Sequence, residues 1–337
     1  MSEVYQQVRH WLWAVDPIHV GMGRQQISRI DMPVTREPGT NLPVLPGSSI
    51  TGVCRAYAAI KQGKSGLLCA GKGNQENGEG EEHCGEDTCP VCCAFGFSKN
   101  KPKKSRQGLA QITTAHILLF PIATQYGPVW ITSYRQLHEA GWEAAVPPPS
   151  PITSGYFVEA SGTSANLPSP VKALSLGWLT LQRQVGSADV SSRLFPGIIK
   201  DGVEAKPDGV ETQLTEIEKD FKKRLGPVVI VDNALFGTLV NDNMEVRTLV
   251  SIDPETGAAK DKALFTYEAI PRGALLWFEV IYTNPATYSI AKSDMDTDKM
   301  KVAVIAGFEL MKFLGLGGMN TRGLGRVDIR STKKEVK

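Results

Sequence analysis

The sequence predicts an α+β fold, on three observations. Short runs of branched and aromatic residues, bounded by Gly, Pro and Asp, recur along the chain as strands do. Two further segments carry apolar residues at helical spacing. What separates these pieces is turn chemistry or long polar insertion, which suits one elaborated layer of sheet and helix.

Residues 4–15 mix aromatic and branched side chains and end at Asp16-Pro17, predicting a first strand that leads into a glycine-bearing turn with His19. His19 is suited to contact or protonate a ligand, or simply to a hydrogen bond within the turn. Farther on, Asp31 stands between Ile30 and Met32 with Pro33 close behind. A residue before proline is pushed toward extended geometry, so Asp31 is placed on a loop, flanked by Arg29 and Arg36. Such a carboxylate serves chemistry on a phosphate, or pairs with its neighbours at the surface; the residues alone leave both open.

Pro46-Gly47-Ser48-Ser49 precedes Ile50, Val53, Cys54, Tyr57, Ala58 and Ile60. That spacing predicts a helix over 49–61 with Ser48 or Ser49 as its N-cap. The free N–H groups and positive dipole end of its first turn suit a phosphate, and Arg55 follows little more than a turn later. Cys54, on the apolar face, belongs to the core.

Residues 63–87 are rich in Gly, Glu and Lys without hydrophobic period and predict a loop insertion. Of the six cysteines, five fall between Cys69 and Cys93, and in a reducing compartment such clustering argues for metal over disulfides. Cys84, Cys89 and Cys92 have the spacing of a tetrahedral zinc site, with Cys69 or His83 as fourth ligand; buried thiols without metal are the alternative. An ion would pin the ends of an insertion that has almost nothing apolar to bury. The basic run Lys99, Lys101, Lys103, Lys104 and Arg106 suits a phosphate backbone or a solvated loop.

Beyond the basic run, residues 108–121, 129–133, 176–182, 228–231 and 275–282 read as strands. Residues 143–170, rich in proline, and 185–210 read as surface excursions, and 211–225 as a helix with an acidic start and basic end. Asp253-Pro254-Glu255-Thr256-Gly257 is a hairpin turn between strands 245–252 and 264–270, so Arg247 and Glu268 stand on paired arms. A helix over 296–313 then enters a loop from Leu314 to Arg326 and a last strand, 327–329. Glycine at 317, 318, 323 and 325 lets backbone approach backbone or phosphate. The loop lacks the Gly-Lys-Ser/Thr ending and strand-loop-helix order of a nucleotide-binding motif. It offers N–H groups and Arg322 to an RNA backbone instead.

Composition sets outer limits. With 337 residues, 42% hydrophobic and 21% charged, the chain is an ordinary globular protein. A formal net charge of +2 supplies no global field for nucleic acid, so any RNA site must be local. No apolar run reaches the ~20 residues that span a bilayer, and the first residues lack a signal-peptide pattern. A cytoplasmic protein with no membrane partner is expected.

The glycine loop Leu-Gly-Gly-Met-Asn-Thr-Arg-Gly-Leu-Gly between helix and terminal strand resembles that of the RAMP superfamily of CRISPR proteins. Ile-Asp-Met-Pro-Val-Thr-Arg-Glu, followed by Pro-Val-Leu-Pro-Gly-Ser-Ser-Ile-Thr-Gly-Val-Cys-Arg, looks like the start of the Cmr-type (Cas7-like) backbone subunit of type III-B effector complexes. The segment Ala-Leu-Phe-Thr-Tyr-Glu-Ala-Ile-Pro resembles a later part of the same subunit. The resemblance implies a single RAMP domain over 1–337, a modified ferredoxin-like (RRM-like) fold. It carries insertions at 63–94 (zinc-binding), 143–170 and 185–210 and a thumb-like hairpin at 245–270. Copies would stack along a crRNA with other type III-B subunits and cleave complementary target RNA at regular intervals, using Mg2+ or Mn2+; the cysteine spacing, apart from the resemblance, adds a structural Zn2+ on Cys69, Cys84, Cys89 and Cys92. Asp31 matches the catalytic carboxylate, and His19 and Glu268 match positions that support cleavage. Arg29, Arg36, Ser48, Ser49, Arg55, Arg247, Gly317, Gly318, Arg322, Gly323 and Gly325 would bind RNA. Thr51 departs from the pattern, which expects lysine there. The competing readings are a non-catalytic crRNA-binding filament subunit and a stand-alone crRNA-processing enzyme with His19 as base.

Overall fold

The computed structural model describes residues 4–23, 30–64, 68–70, 83–100, 103–141, 152, 154–160, 167–168, 171–184, 223–288 and 295–332. The chain forms two compact units: Met1–Gly21, Val44–His116 and Trp277–Lys337 make the first, Met22–Pro43 and Ile117–Leu276 the second. The first opens with β1 (Tyr5–Ala14) and continues through β2 (Val44–Leu45), α1 (Gly47–Lys61), α2 (Pro90–Phe95), β3 (Phe97–Asn100), β4 (Lys103–Arg106) and β5 (Ala110–Ile112). β6 (Ala115–Thr124) carries the chain into the second unit. There follow β7 (Gly127–Ser133), α3 (Tyr134–Glu139), β8 (Tyr156–Ala160), β9 (Ala173–Leu176), β10 (Leu179–Arg183), β11 (Val228–Val231), α4 (Asn233–Asp242), β12 (Glu245–Ile252) and β13 (Ala259–Ala269). β14 (Leu275–Thr283) leads back to the first unit, which ends with α5 (Thr297–Leu314) and β15 (Val327–Thr332).

In the first unit β1 lies between β15 and β14, antiparallel to β15 from Arg9↔Thr332 to Ala14↔Val327. α1 and α5 pack where Gly307 meets Cys54; a Cβ on Gly307 would stand 2.5 Å from Cys54 O. The Cys54 thiol donates to Val304 O at 3.4 Å, and burial pushes its pKa up, so Cys54 is the core residue its helical position predicts.

The second unit is a mixed sheet ordered β6-β7-β11-β8-β10-β9. β11 runs parallel to β7 and antiparallel to β8. All four of its residues are buried, as befits a strand covered on both faces. Apart from this sheet, β12 and β13 form a two-stranded antiparallel ribbon.

Several expectations change. The run 108–121 is two strands, broken where Thr113 N–H donates to Glu279 O and Thr113 Oγ1 accepts from Glu279 N. The run 176–182 is the β9–β10 hairpin, turned at Gly177 with φ +67°, a conformation that glycine adopts without steric cost. The excursion at 143–170 contains β8, whose Phe157 and Val158 are buried; the apolar run Tyr-Phe-Val, in a strand paired with β11, decides against the surrounding prolines. α1 begins at Gly47 after Pro46, with no side-chain cap, so Ser48 and Ser49 sit inside its first turn. The expected insertion 185–210 and most of the expected helix 211–225 lie outside the described residues. No helix among the described residues is long and apolar enough to cross a membrane.

Candidate functional site

Asp31 is fixed to one arm of the ribbon. Residue 32 bridges β13 in parallel fashion, Met32↔Tyr267, through Met32 N–H to Thr266 O and Glu268 N–H to Met32 O, both 3.1 Å. One step earlier this ladder changes character. The Thr266 N–H donates to Asp31 Oδ2 at 2.7 Å, and the Thr266 hydroxyl lies 3.1 Å from the same oxygen. That hydroxyl also accepts from Asp31 N at 3.2 Å. The carboxylate thus caps an outward-facing strand N–H that would otherwise be an open edge. Asp31 remains exposed, and Oδ1 has no hydrogen bond among the described residues.

Two residues along β13, Glu268 is buried, 3% of its side chain exposed. It accepts Val34 N–H at 3.0 Å and both arms of the Arg36 guanidinium, at 2.9 and 2.5 Å. Arg36 Nε donates to Asn241 Oδ1 at 3.0 Å. Glu268 therefore holds the 33–36 segment while Thr266, two residues earlier on the same strand, holds Asp31. Arg36 has its nitrogens turned inward, an arrangement its position in the sequence did not reveal.

The ribbon beyond these contacts is open. Val246, Val250, Ile252 and Leu264 are 45–65% exposed. Val246 pairs with Glu268 and Arg247 with Tyr267; directly opposed residues share a face and successive ones alternate. Arg247 and Glu268 thus stand on paired arms but opposite faces, and Arg247 meets Glu245 at 2.5 Å.

His19 and the glycine loop belong to the first unit, Asp31 and Glu268 to the second. His19 is buried. Its carbonyl accepts Gly318 N–H at 2.9 Å, and Pro17 O accepts Gly325 N–H at 2.9 Å. A side chain on Gly317 would collide with His19 O, and one on Gly325 would stand 2.5 Å from Leu316 O. Here the close approach that glycine permits is to the chain's own backbone. Gly323 has φ +82° with nothing near its Cβ position, and Arg322 is exposed. Ser48 is exposed and Ser49 half-buried. Arg29 lies outside the described residues.

The four cysteines converge. The sulfurs of Cys69, Cys84, Cys89 and Cys92 all lie within 4.8 Å of one another, and Cys84 Sγ and Cys92 Sγ are 3.6 Å apart. Zinc–sulfur bonds of about 2.3 Å in a tetrahedron place sulfurs roughly 3.8 Å apart, so the set fits that ion. Cys89 caps α2 by accepting Cys92 N–H at 3.4 Å, and its hydrogen bond with the Cys92 thiol holds its pKa down. Lys64 Nζ stands 3.1 Å from both Cys69 Sγ and Cys89 Sγ. His83 is turned away: its Nδ1 meets Arg55 Nη2 at 3.0 Å, and burial together with the Arg55 charge lowers its pKa. Arg55 also donates to Cys69 O and Gly96 O, at 2.6 and 2.8 Å. Reaching from α1, it ties down both ends of the cysteine segment. Cys93 is outside the cluster and meets Arg106 Nη2 at 3.0 Å, while Arg106 pairs with Asp87 at 2.7 Å. The last residue of the basic run is thus bound to the insertion.

Sequence reasoning missed Thr266, Lys64 and Asn241. Thr266 stands two residues before Glu268 in a segment already singled out, and Lys64 five before Cys69; neither spacing by itself signals a contact.

The RAMP superfamily profile matches residues 12–328. Among curated proteins, the CRISPR system Cmr endoribonuclease Cmr4 of Pyrococcus furiosus is 24% identical over 339 residues, covering 96% of this chain and 95% of that protein. Among solved structures, type III-B Cmr-beta bound to cognate target RNA superposes with a TM-score of 0.62 at 13% identity, over 98% of this chain and 99% of that one. Oligomeric Cmr4 from Pyrococcus furiosus superposes with a TM-score of 0.58 at 20% identity, over 99% and 100%. A match running from the first strand to the last, over a mixed α+β architecture with the same overall fold, means that the chain belongs to the RAMP superfamily.

Proposed function

We propose that this protein is a backbone subunit of a type III-B CRISPR RNA-guided effector complex, which binds crRNA and cleaves complementary target RNA at regular intervals. The observation that carries this reading is Asp31, an exposed carboxylate bonded to one arm of a ribbon whose arms carry exposed apolar side chains. It is supported by full-length similarity to a protein named as a Cmr endoribonuclease. In this reading the whole chain is one RAMP domain on a ferredoxin-like plan, the ribbon is the thumb that distorts the guide–target duplex, and copies of the chain stack along the guide with other type III-B subunits in the cytoplasm.

Cleavage by the target's 2'-hydroxyl needs in-line geometry, a proton acceptor and charge relief on the departing oxygen. A divalent cation, Mg2+ or Mn2+, supplies that relief when bound. Asp31 orients the hydroxyl or holds the cation, Glu268 fixes the segment that bears Asp31, and His19 contributes from beneath the glycine loop. Ser48, Ser49, Arg247, Gly317, Gly318, Arg322, Gly323 and Gly325, with Arg29, Arg36 and Arg55, are the RNA-binding set. Arg36 and Arg55 act there through the segments they brace. Cys69, Cys84, Cys89 and Cys92 hold a structural zinc ion that is separate from the chemistry.

Complex assembled with Asp31→Ala chains tests the reading. Labelled target is expected to stay intact in magnesium or manganese, while guide binding and assembly match the unaltered protein. Full cleavage would remove Asp31 from the chemistry.

A further inference from the structure

We infer that Thr266 is the positioning residue for Asp31, and that it joins the carboxylate to the ribbon so that the two move as one piece. The inference rests on the reading of Asp31 given above and extends it to a residue that reading does not use.

Three bonds converge on this pair. The Thr266 hydroxyl accepts from Asp31 N at 3.2 Å and donates to Asp31 Oδ2 at 3.1 Å, closing a small ring, while Thr266 N–H donates to the same oxygen at 2.7 Å. A hydroxyl supplies one donor and accepts through its lone pairs, so one side chain fills both roles. The effect is to make the two carboxylate oxygens unequal. Oδ2 is saturated by protein donors, and Oδ1 is left to face whatever approaches the exposed side of the segment. Without the ring, the Thr266 N–H alone would hold the carboxylate, which leaves it freer to turn about that one bond and displaces the reacting group from a geometry that tolerates little error.

Register extends the argument. Thr266 is directly opposed to Thr248, and Leu264 to Val250, so Thr266 projects from the same face of the ribbon as the exposed apolar pair Val250 and Leu264. The Met32 bridge on either side of Tyr267, with Tyr267 itself 2% exposed, prevents the Asp31 segment from sliding along β13. An RNA that engages the apolar face therefore meets Oδ1 at a fixed distance along the strand. Backbone bonds set that distance, and the hydroxyl sets the orientation.

The test uses complex assembled with guide RNA and chains carrying Thr266→Val, Thr266→Ser, Asp31→Ala or Asp31→Ala with Thr266→Val. Single-turnover cleavage of labelled target is measured across a magnesium series, beside guide affinity and the thermal midpoint of each chain. Val keeps the shape and the backbone N–H and removes only the hydroxyl. It is expected to slow cleavage about tenfold, the worth of one charge-assisted hydrogen bond, and to raise the magnesium concentration for half-maximal rate. Guide affinity and thermal midpoint should stay unchanged. Ser is expected to restore both the rate and the magnesium dependence, and the double variant to match Asp31→Ala. Thr266→Val cleaving like the unaltered complex, with Asp31→Ala inactive, would overturn the inference and leave the role of Asp31 standing. Equal losses for Val and Ser would also overturn it, because the hydroxyl would then not be the cause. Full cleavage by Asp31→Ala would remove both. Should Val lower the thermal midpoint, Thr266→Ala at matched folded fraction reads the same magnesium shift, and its absence counts against the inference.

Discussion

The Arg36 guanidinium closes on the Glu268 carboxylate in two parallel bonds, Nη2 to Oε1 at 2.5 Å and Nη1 to Oε2 at 2.9 Å, across 232 residues of sequence. The pair is mostly removed from water, with 20% and 3% of the two side chains exposed. Glu268 holds Val34 as well, so losing it strands a cation and a backbone donor together. Glu268→Ala is expected to destabilise the chain by about 3 kcal/mol, as removing one partner of a buried pair does, and to slow target cleavage. Urea unfolding of the isolated chain measures the first effect. A cleavage defect with an unchanged unfolding midpoint would mean that Glu268 acts on the RNA directly.

Zinc is expected at about one ion per chain when the protein is purified without chelator. Cys89→Ser with Cys92→Ser should lose it and open the 63–94 segment to protease. Cleavage stopped by mild chelation should return with magnesium or manganese alone. Zinc-free protein with an equally protected segment would refute the site.

Lys64 gives that site a second handle. Four thiolates around a divalent ion leave two negative charges, and the Lys64 ammonium lies against two of the sulfurs. Outer partners of metal ligands commonly account for 10–100-fold in affinity. Lys64→Met should therefore raise the zinc dissociation constant by about tenfold, read by competition with a colorimetric chelator. An unchanged constant would make the contact incidental.

His10 predicts acid sensitivity. Its ring stacks on Phe278 at 5.2 Å and meets Phe308 edge-on at 5.2 Å. Neither ring nitrogen has a hydrogen-bond partner among the described residues, and burial pushes the pKa down to about 3. The folded chain keeps this histidine neutral while the unfolded chain takes up a proton below about pH 6.5. Stability is therefore unaffected above that pH and falls as pH drops toward 3, by about 1.4 kcal/mol per pH unit from this group. His10→Phe should flatten that slope between pH 6 and 4, measured by urea midpoints. An identical slope would mean that other groups set the acid limit.

Gly325 and Gly323 separate two uses of glycine. Both have positive φ, but only Gly325 has backbone where a Cβ would go, 2.5 Å from Leu316 O. Gly323→Ala should cost about 1 kcal/mol of strain and Gly325→Ala distinctly more. Equal costs in urea unfolding would show that conformation alone matters.

What the sequence made legible was local. The Cys89-Pro-Val-Cys92 knuckle, the turn at 253–257, the apolar stripe of α1 and the glycines near the last strand each carry their signal within a few residues, and the structure contains each of these elements. Breaks and captures were not legible. Nothing near Thr113 announces that Glu279 will interrupt a strand there, and β8 hides among prolines. Arg36 and Arg55 read as exposed cations because their partners, Glu268 in one case and Cys69 and Gly96 in the other, lie far along the chain. α4 passed unread because Gly237 and Thr238 weaken its helical pattern, although Asp232 caps it through Ala234 N–H at 3.2 Å.

The pairing of β1 with β15 sets a clock on the ribosome. Arg9 emerges early, yet its ladder partner Thr332 follows only after an interval on the order of tens of seconds at ordinary synthesis rates. β14, its other neighbour, also arrives late. Through that interval a strand whose last five residues are buried in the finished fold has neither edge covered, and the turn at Pro17 to His19 lacks the glycine loop that will close over it. The second unit, whose sheet strands all precede β14, is free to assemble first. A nascent chain halted after Ala274 should thus hold a protected β6-to-β11 sheet and a β1 open to whatever strand or chaperone meets it.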